Sequence, residues 1–114
     1  MRRRTVDERR ARNEIAFREV NERIEEISRE LTDRERPAVR LELVCECSRK
    51  DCTETLEATV AEYESVRTNP RHFLVLPGHE HAETAPVVER TSRFLVVEKL
   101  EEEGQYAIEH DPRR

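Results

Sequence analysis

Three cysteines fall within eight residues, in the run Cys45-Glu46-Cys47-Ser48-Arg49-Lys50-Asp51-Cys52. The spacing is C-x-C-x4-C. On a strand, residues at i and i+2 project to one face, so Cys45 and Cys47 share a side. The four intervening residues then let Cys52 fold back beside them. Thiolates are soft ligands that select zinc, Cu(I) or iron–sulfur centres. A closed structural zinc site takes four ligands, so three thiols need a fourth. His79 is the first candidate, held in the turn Pro77-Gly78-His79-Glu80-His81. His81 is the alternative from the same turn. His72 reaches only if the apolar run after it pairs beside the cysteines, and His110 lies in what reads as a tail. The expected ligand set is therefore Cys45, Cys47, Cys52 and His79, with zinc as the cofactor. Two other readings stay open: buried free cysteines with a satisfied loop histidine, and an iron–sulfur or redox site.

The same residues are poorly arranged for catalysis. A Cys–His nucleophile pair needs a third group to orient the base, and none is evident. His79-Glu80-His81 is not the helical H-E-x-x-H pattern of metalloproteases. The many carboxylates are interleaved with arginines, which reads as a solvated surface. An enzyme is not expected.

The elements that must position these residues follow from periodicity. Residues 5–33 lack Gly and Pro and are rich in Glu and Arg, which predicts one long helix. Thr5 with Glu8 is a capping-box pattern for its start. Phe17, Val20, Ile24, Ile27 and Leu31 recur at 3, 4, 3, 4, a narrow heptad seam. Such a stripe can pack on the chain's own sheet or pair with another helix, and both remain open. Asp33–Arg36 is the connector, and Pro37 ends the helical pattern. Residues 38–46 alternate as a strand, residues 47–53 turn, and residues 54–58 return. Thr59 and Glu62 form a second capping-box pattern, opening a short helix to about Thr68 with Val60, Tyr63 and Val66 on one face. Residues 72–76 read as a buried strand. Residues 87–90 and 93–99 read as a hairpin, although Thr91-Ser92 lacks the Gly or Asn that tight hairpins favour.

Residues 101–114 read as a flexible tail. The expected fold is α+β: a long N-terminal helix plus a small antiparallel sheet with one short helix, stabilised by zinc. The units are a helical arm (1–36), a zinc-bound α+β domain (37–100) and the tail (101–114).

Composition narrows the function. The chain has 114 residues, 35% hydrophobic and 41% charged, with no Trp, five Phe and Tyr residues together and two Gly. That excludes a large enzyme core and a cleft built on Gly-rich phosphate loops. A core this small commonly needs a metal or an oligomer to hold it. The net charge of −5 argues against a general nucleic-acid binder. It is unevenly spread, because residues 1–12 carry six Arg against Asp7 and Glu8. No apolar run approaches the length of a membrane span. Clustered thiols without a disulfide framework fit a cytoplasmic setting.

Several blocks carry a resemblance. Asn13-Glu14-Ile15-Ala16-Phe17, Val44-Cys45-Glu46-Cys47, Asp51-Cys52-Thr53, Ala61-Glu62-Tyr63-Glu64, Phe73 through the PGHE turn to Glu80, and Phe94 to Lys99 occur in this order. The chain is similar in them to a group of small uncharacterised bacterial proteins. The resemblance spans roughly residues 13–99 and implies a single domain with a coordinated Cys/His unit, but no substrate. The three-Cys, one-His set also resembles that of the CDGSH iron–sulfur proteins in ligand type. That family's wider spacing and Cys-Asp-Gly-(Ser/Ala/Thr)-His stretch are missing, so nothing is carried over.

These readings converge on a small non-enzymatic zinc-binding interaction module. Its helix would serve a homodimer or a protein partner. One alternative is a regulatory, nucleic-acid-associated zinc module using the Arg-rich N-terminus. The other is a thiol-based redox or metal sensor.

Overall fold

The computed structural model describes residues 2–31, 40–47 and 52–113, with the side chains of the first helix described over residues 10–28. The elements run α1 (Arg2–Leu31), β1 (Arg40–Val44), β2 (Thr55–Thr59), α2 (Val60–Arg67), β3 (His72–Val75), β4 (Val87–Arg90), β5 (Leu95–Glu98) and α3 (Glu101–Glu109). The class is α+β, as the periodicities predict. The connector 33–36, Pro37, the strand start at 38–39 and the turn centre at 48–51 lie outside the described residues.

The strands form two antiparallel sheets rather than one. β1 pairs with β2, Leu41 opposite Ala58 and Leu43 opposite Leu56. The other sheet has the order β3-β5-β4, with β5 central. Phe73 faces Val97, Leu74 faces Val96 and Val75 faces Leu95 across β3 and β5. Both strands are apolar at every one of these positions because both faces are covered. On one face Phe73, Val75, Leu95 and Val97 pack with Ile15, Cys45, Cys47 and Ala107. On the other, Leu74, Val96 and Phe94 pack with Leu41, Leu43, Leu56, Tyr63 and Val66. The three-stranded sheet is thus the middle layer.

Local chemistry explains the smaller elements. Thr59 accepts from the Glu62 backbone N–H at 3.1 Å, and the Glu62 carboxylate accepts from the Thr59 N–H at 2.8 Å, completing the capping box of α2. The β4–β5 hairpin turns without Gly because the Thr91 hydroxyl accepts from the N–H groups of both Arg93 and Phe94.

Three further expectations change. α1 begins at Arg2, so Thr5 lies inside it rather than at its start. The segment expected as a tail forms α3, whose first turn carries Glu101, Glu102 and Glu103 against the helix dipole. Gly104 makes this docking possible, since a Cβ there would sit 2.6 Å from the Lys99 carbonyl oxygen. Beyond α3, Asp111 pairs with Arg67, and Arg113 reaches Glu22, Glu25 and Glu64. These pairs strap the C-terminal segment to α1 and α2.

The third change concerns α1. It packs on its own domain, but through its polar side. Glu14, Arg18, Asn21 and Glu25 are buried, while Val20 and Ile27 of the heptad seam are 45% and 46% exposed. Phe17 and Ile24 lie half-buried at the boundary. The inward stripe follows the same heptad spacing as the seam, displaced around the helix. Glu14 pairs with Lys99 at 2.6 Å. Arg18 donates to the carbonyls of Pro70 and His72 at 2.8 and 2.7 Å and stacks on Phe73, its Cζ 3.8 Å from the ring centre. The Asn21 amide meets both backbone groups of Val44, so it caps an edge of β1 as a neighbouring strand would.

Burial pushes the Glu14 carboxyl up from 4.5 to about 7, outweighing the attraction of Lys99. A carboxyl that binds its proton more tightly when folded contributes stability below its unfolded pKa. That contribution is lost as pH rises through the window from 4.5 to about 7, a decline of at most about 3 kcal/mol. Urea unfolding of the wild type and Glu14→Gln at pH 5 and pH 7.5 tests this. The variant is expected to lack this part of the decline, and parallel pH profiles would contradict the assignment.

Candidate metal centre

The site is built where the two sheets meet. The chain leaves β1 at Val44 and passes along the edge of β3. The Cys45 N–H donates to the Glu54 carbonyl at 3.1 Å, which keeps residue 45 tied to the β2 side. The next residue turns to β3: the Glu46 N–H donates to the Leu74 carbonyl at 2.8 Å. Leu74 returns the bond through its N–H to a Glu46 carboxylate oxygen at 2.9 Å. The Leu76 N–H donates to the Cys45 sulfur at 3.2 Å. Side-chain atoms of Cys45 and Glu46 therefore continue a ladder begun by backbone. Cys45 and Cys47 both enter the core with Phe73 and Val75, while the Glu46 carboxylate turns to the Asn21 amide and the Leu74 N–H.

Cys52 precedes β2, and His79 follows β3 in the Pro77–His79 turn. Gly78 takes φ +94° there, a left-handed conformation that an L side chain rarely adopts. The His79 N–H closes the turn on the Leu76 carbonyl at 2.9 Å. That turn brings the imidazole Nδ1 to 3.6 Å from the Cys45 sulfur and 3.7 Å from the Cys52 sulfur. One ligand atom from each of Cys45, Cys47, Cys52 and His79 lies within 4.8 Å of every other. Cys45 and Cys47 are buried, and Cys52 is half-buried. All three thiols are free of disulfides.

The donor set fits a metal ion. A tetrahedron with a Zn–S bond of about 2.3 Å and a Zn–N bond of about 2.0–2.1 Å has an S···N edge of about 3.6 Å. The two measured S···N separations match that edge. The other imidazole nitrogen of His79 lies 4.0 Å from a Glu54 carboxylate oxygen, on the side where an orienting carboxylate is commonly found. Three sulfurs and one nitrogen form a closed set, with no fifth protein donor required.

The remaining histidines go elsewhere. His72 lies 3.7 Å from Glu98 across β3 and β5. His110 stacks on Tyr106 at the end of α3. His81 is half-buried, its Nε2 has no hydrogen-bond partner among the described residues, and it does not join the four-residue group.

Two supporting residues escape a reading of motifs. Glu46 is wholly buried, and burial raises its carboxyl pKa above the usual range, opposed by Arg18 and by bonds from Asn21 and Leu74. Asn21 of α1 donates to the second Glu46 oxygen at 2.7 Å. The available signal was indirect: in the extended stretch that the alternation predicts, a carboxylate between two cysteines points away from them.

Burial pushes the Cys45 thiol up to about 12, more than its backbone hydrogen bonds lower it. An ion entering must therefore displace the Cys45 proton, and affinity must rise with pH. The proton at Cys45 alone makes the apparent affinity for Zn²⁺ or Co²⁺ fall about tenfold per pH unit on acidification. Competition titrations at pH 6, 7 and 8 measure this slope. A pH-independent affinity would contradict thiolate ligation. No protein-family model matches the chain, and no curated protein or solved structure is detectably similar to it.

Proposed function

We propose that this protein is a small non-enzymatic zinc-binding interaction module. In this reading the thiolates of Cys45, Cys47 and Cys52 and the imidazole of His79 hold a structural zinc ion. The gathering of four soft and borderline donors within 4.8 Å carries the proposal. Bound zinc would tie together the ends of β1, β2 and β3, and its binding free energy would add to folding free energy. The small core gives that contribution weight. A closed four-donor set leaves no coordination position for substrate, which favours a structural role over a catalytic one.

α1 supplies the interaction surface in this reading. Phe17, Val20, Ile24 and Ile27 are spaced as one side of a two-helix seam, and the exposure of Val20 and Ile27 leaves that seam open. A second copy of the helix, or a helix of another protein, is the matching partner. Nucleic acid is disfavoured by the acidic balance of the chain. Free thiols in close array favour the cytoplasm. Among the described residues, no helix is long and apolar enough to cross a membrane.

Native mass spectrometry of the purified protein, with and without a chelator, tests both halves. The expected result is one zinc ion per chain, removed by the chelator, with more than one chain per particle. Val20→Glu and Ile27→Glu should each abolish self-association while leaving zinc content unchanged. Metal-free protein would reject the zinc reading. A monomer would reject self-association and leave the helix to a different protein, for which the same two variants should abolish capture.

A further inference from the structure

We propose that Asn21 and Glu46 couple the metal centre to α1, so that occupancy of the four-ligand site decides whether this helix stays docked. The inference rests on the metal reading above and adds a regulatory consequence to it. Glu46 stands between two of the candidate ligands, Cys45 and Cys47, and its carboxylate reaches α1 and β3 without joining their group. One Glu46 oxygen accepts from the Leu74 N–H and the other accepts from the Asn21 amide. The same amide donates to the Val44 carbonyl at 2.9 Å, and its oxygen accepts from the Val44 N–H at 2.8 Å. Among the described residues, every hydrogen bond from the Asn21 side chain to the domain therefore ends on residue 44 or residue 46, the two neighbours of Cys45. A metal that fixes Cys45 and Cys47 fixes the partners of Asn21.

α1 is the element this latch can release. Its described buried apolar residues are Ala11 and Ile15. The rest of its inner face is Glu14, Arg18, Asn21 and Glu25, whose bonds to the domain can be exchanged for bonds to water. β3 and β5 are held differently, with apolar side chains packed on both faces of the sheet. Loosening residues 45–47 thus weakens α1 first, because polar docking contributes little net free energy per bond and the sheet core persists without it. Asn21 is a positioning residue in this scheme and is not a ligand.

Hydrogen exchange by mass spectrometry on the full chain separates the possibilities, with zinc stoichiometry measured on the same samples. In zinc-loaded Asn21→Ala, amides of residues 13–28 should exchange about tenfold faster or more than in zinc-loaded wild type. Zinc should remain at one per chain, and β3 and β5 should keep their protection. Chelation of the wild type should accelerate the same α1 amides more than those of β3 and β5. If loaded Asn21→Ala protects α1 as the wild type does, the coupling is overturned while the zinc reading stands. If chelation accelerates all segments equally, α1 is not selectively released and the coupling is likewise overturned. A wild type that binds no zinc overturns both.

Discussion

The short passage from Val44 to Cys47 is the constraint on which the rest of the molecule depends. It is the one described stretch that belongs to both sheets, bonding back to Glu54 and across to Leu74. Its side chains divide between two tasks. Cys45 and Cys47 enter the sulfur-rich side with Cys52 and His79, and Glu46 enters the polar side under α1. Neither task is separable from the other, because a shift of the chain by one residue would exchange the two faces. A buried carboxylate beside buried thiols is tolerable only because its oxygens are both hydrogen-bonded, one to backbone and one to Asn21.

The polar interface of α1 follows from that arrangement. A helix resting on a buried Glu46 must offset it, and it does so with the Asn21 amide, which donates to the carboxylate, and with the positive charge of Arg18. Once the polar side faces inward, the heptad stripe is left toward the rim and solvent. The helix is therefore inverted relative to an ordinary amphipathic helix on a globular core. This inversion reconciles two uses of one element, with docking by polar bonds on one side and an apolar seam available on the other.

Much of this was legible in the sequence, and the exceptions have physical reasons. Period-two alternation located β1, and the capping box located α2, because each signal is local and chemically specific. The apolar runs at β3 and β5 identified buried strands, but two sheets could not be told from one, since pairing is a long-range property. The cysteine spacing with the Pro-Gly turn singled out the four residues that lie together. α3 was hidden because a Glu-rich segment with a glycine reads as a tail, and the need for Gly104 shows only in the folded backbone, where a Cβ would crowd the Lys99 carbonyl. The orientation of α1 was hidden as well. Hydrophobic periodicity assumes that the apolar side faces inward, and the distant partners that reverse it here, Glu46, Lys99 and the Pro70 and His72 carbonyls, do not show in the sequence of α1.

The central claim is that three cysteine sulfurs and one histidine nitrogen surround a single zinc ion. Zinc K-edge X-ray absorption on the metal-loaded protein measures this shell directly. The account predicts three sulfur neighbours at about 2.3 Å and one nitrogen neighbour at about 2.0–2.1 Å. A shell of nitrogen and oxygen alone, without sulfur, would contradict it.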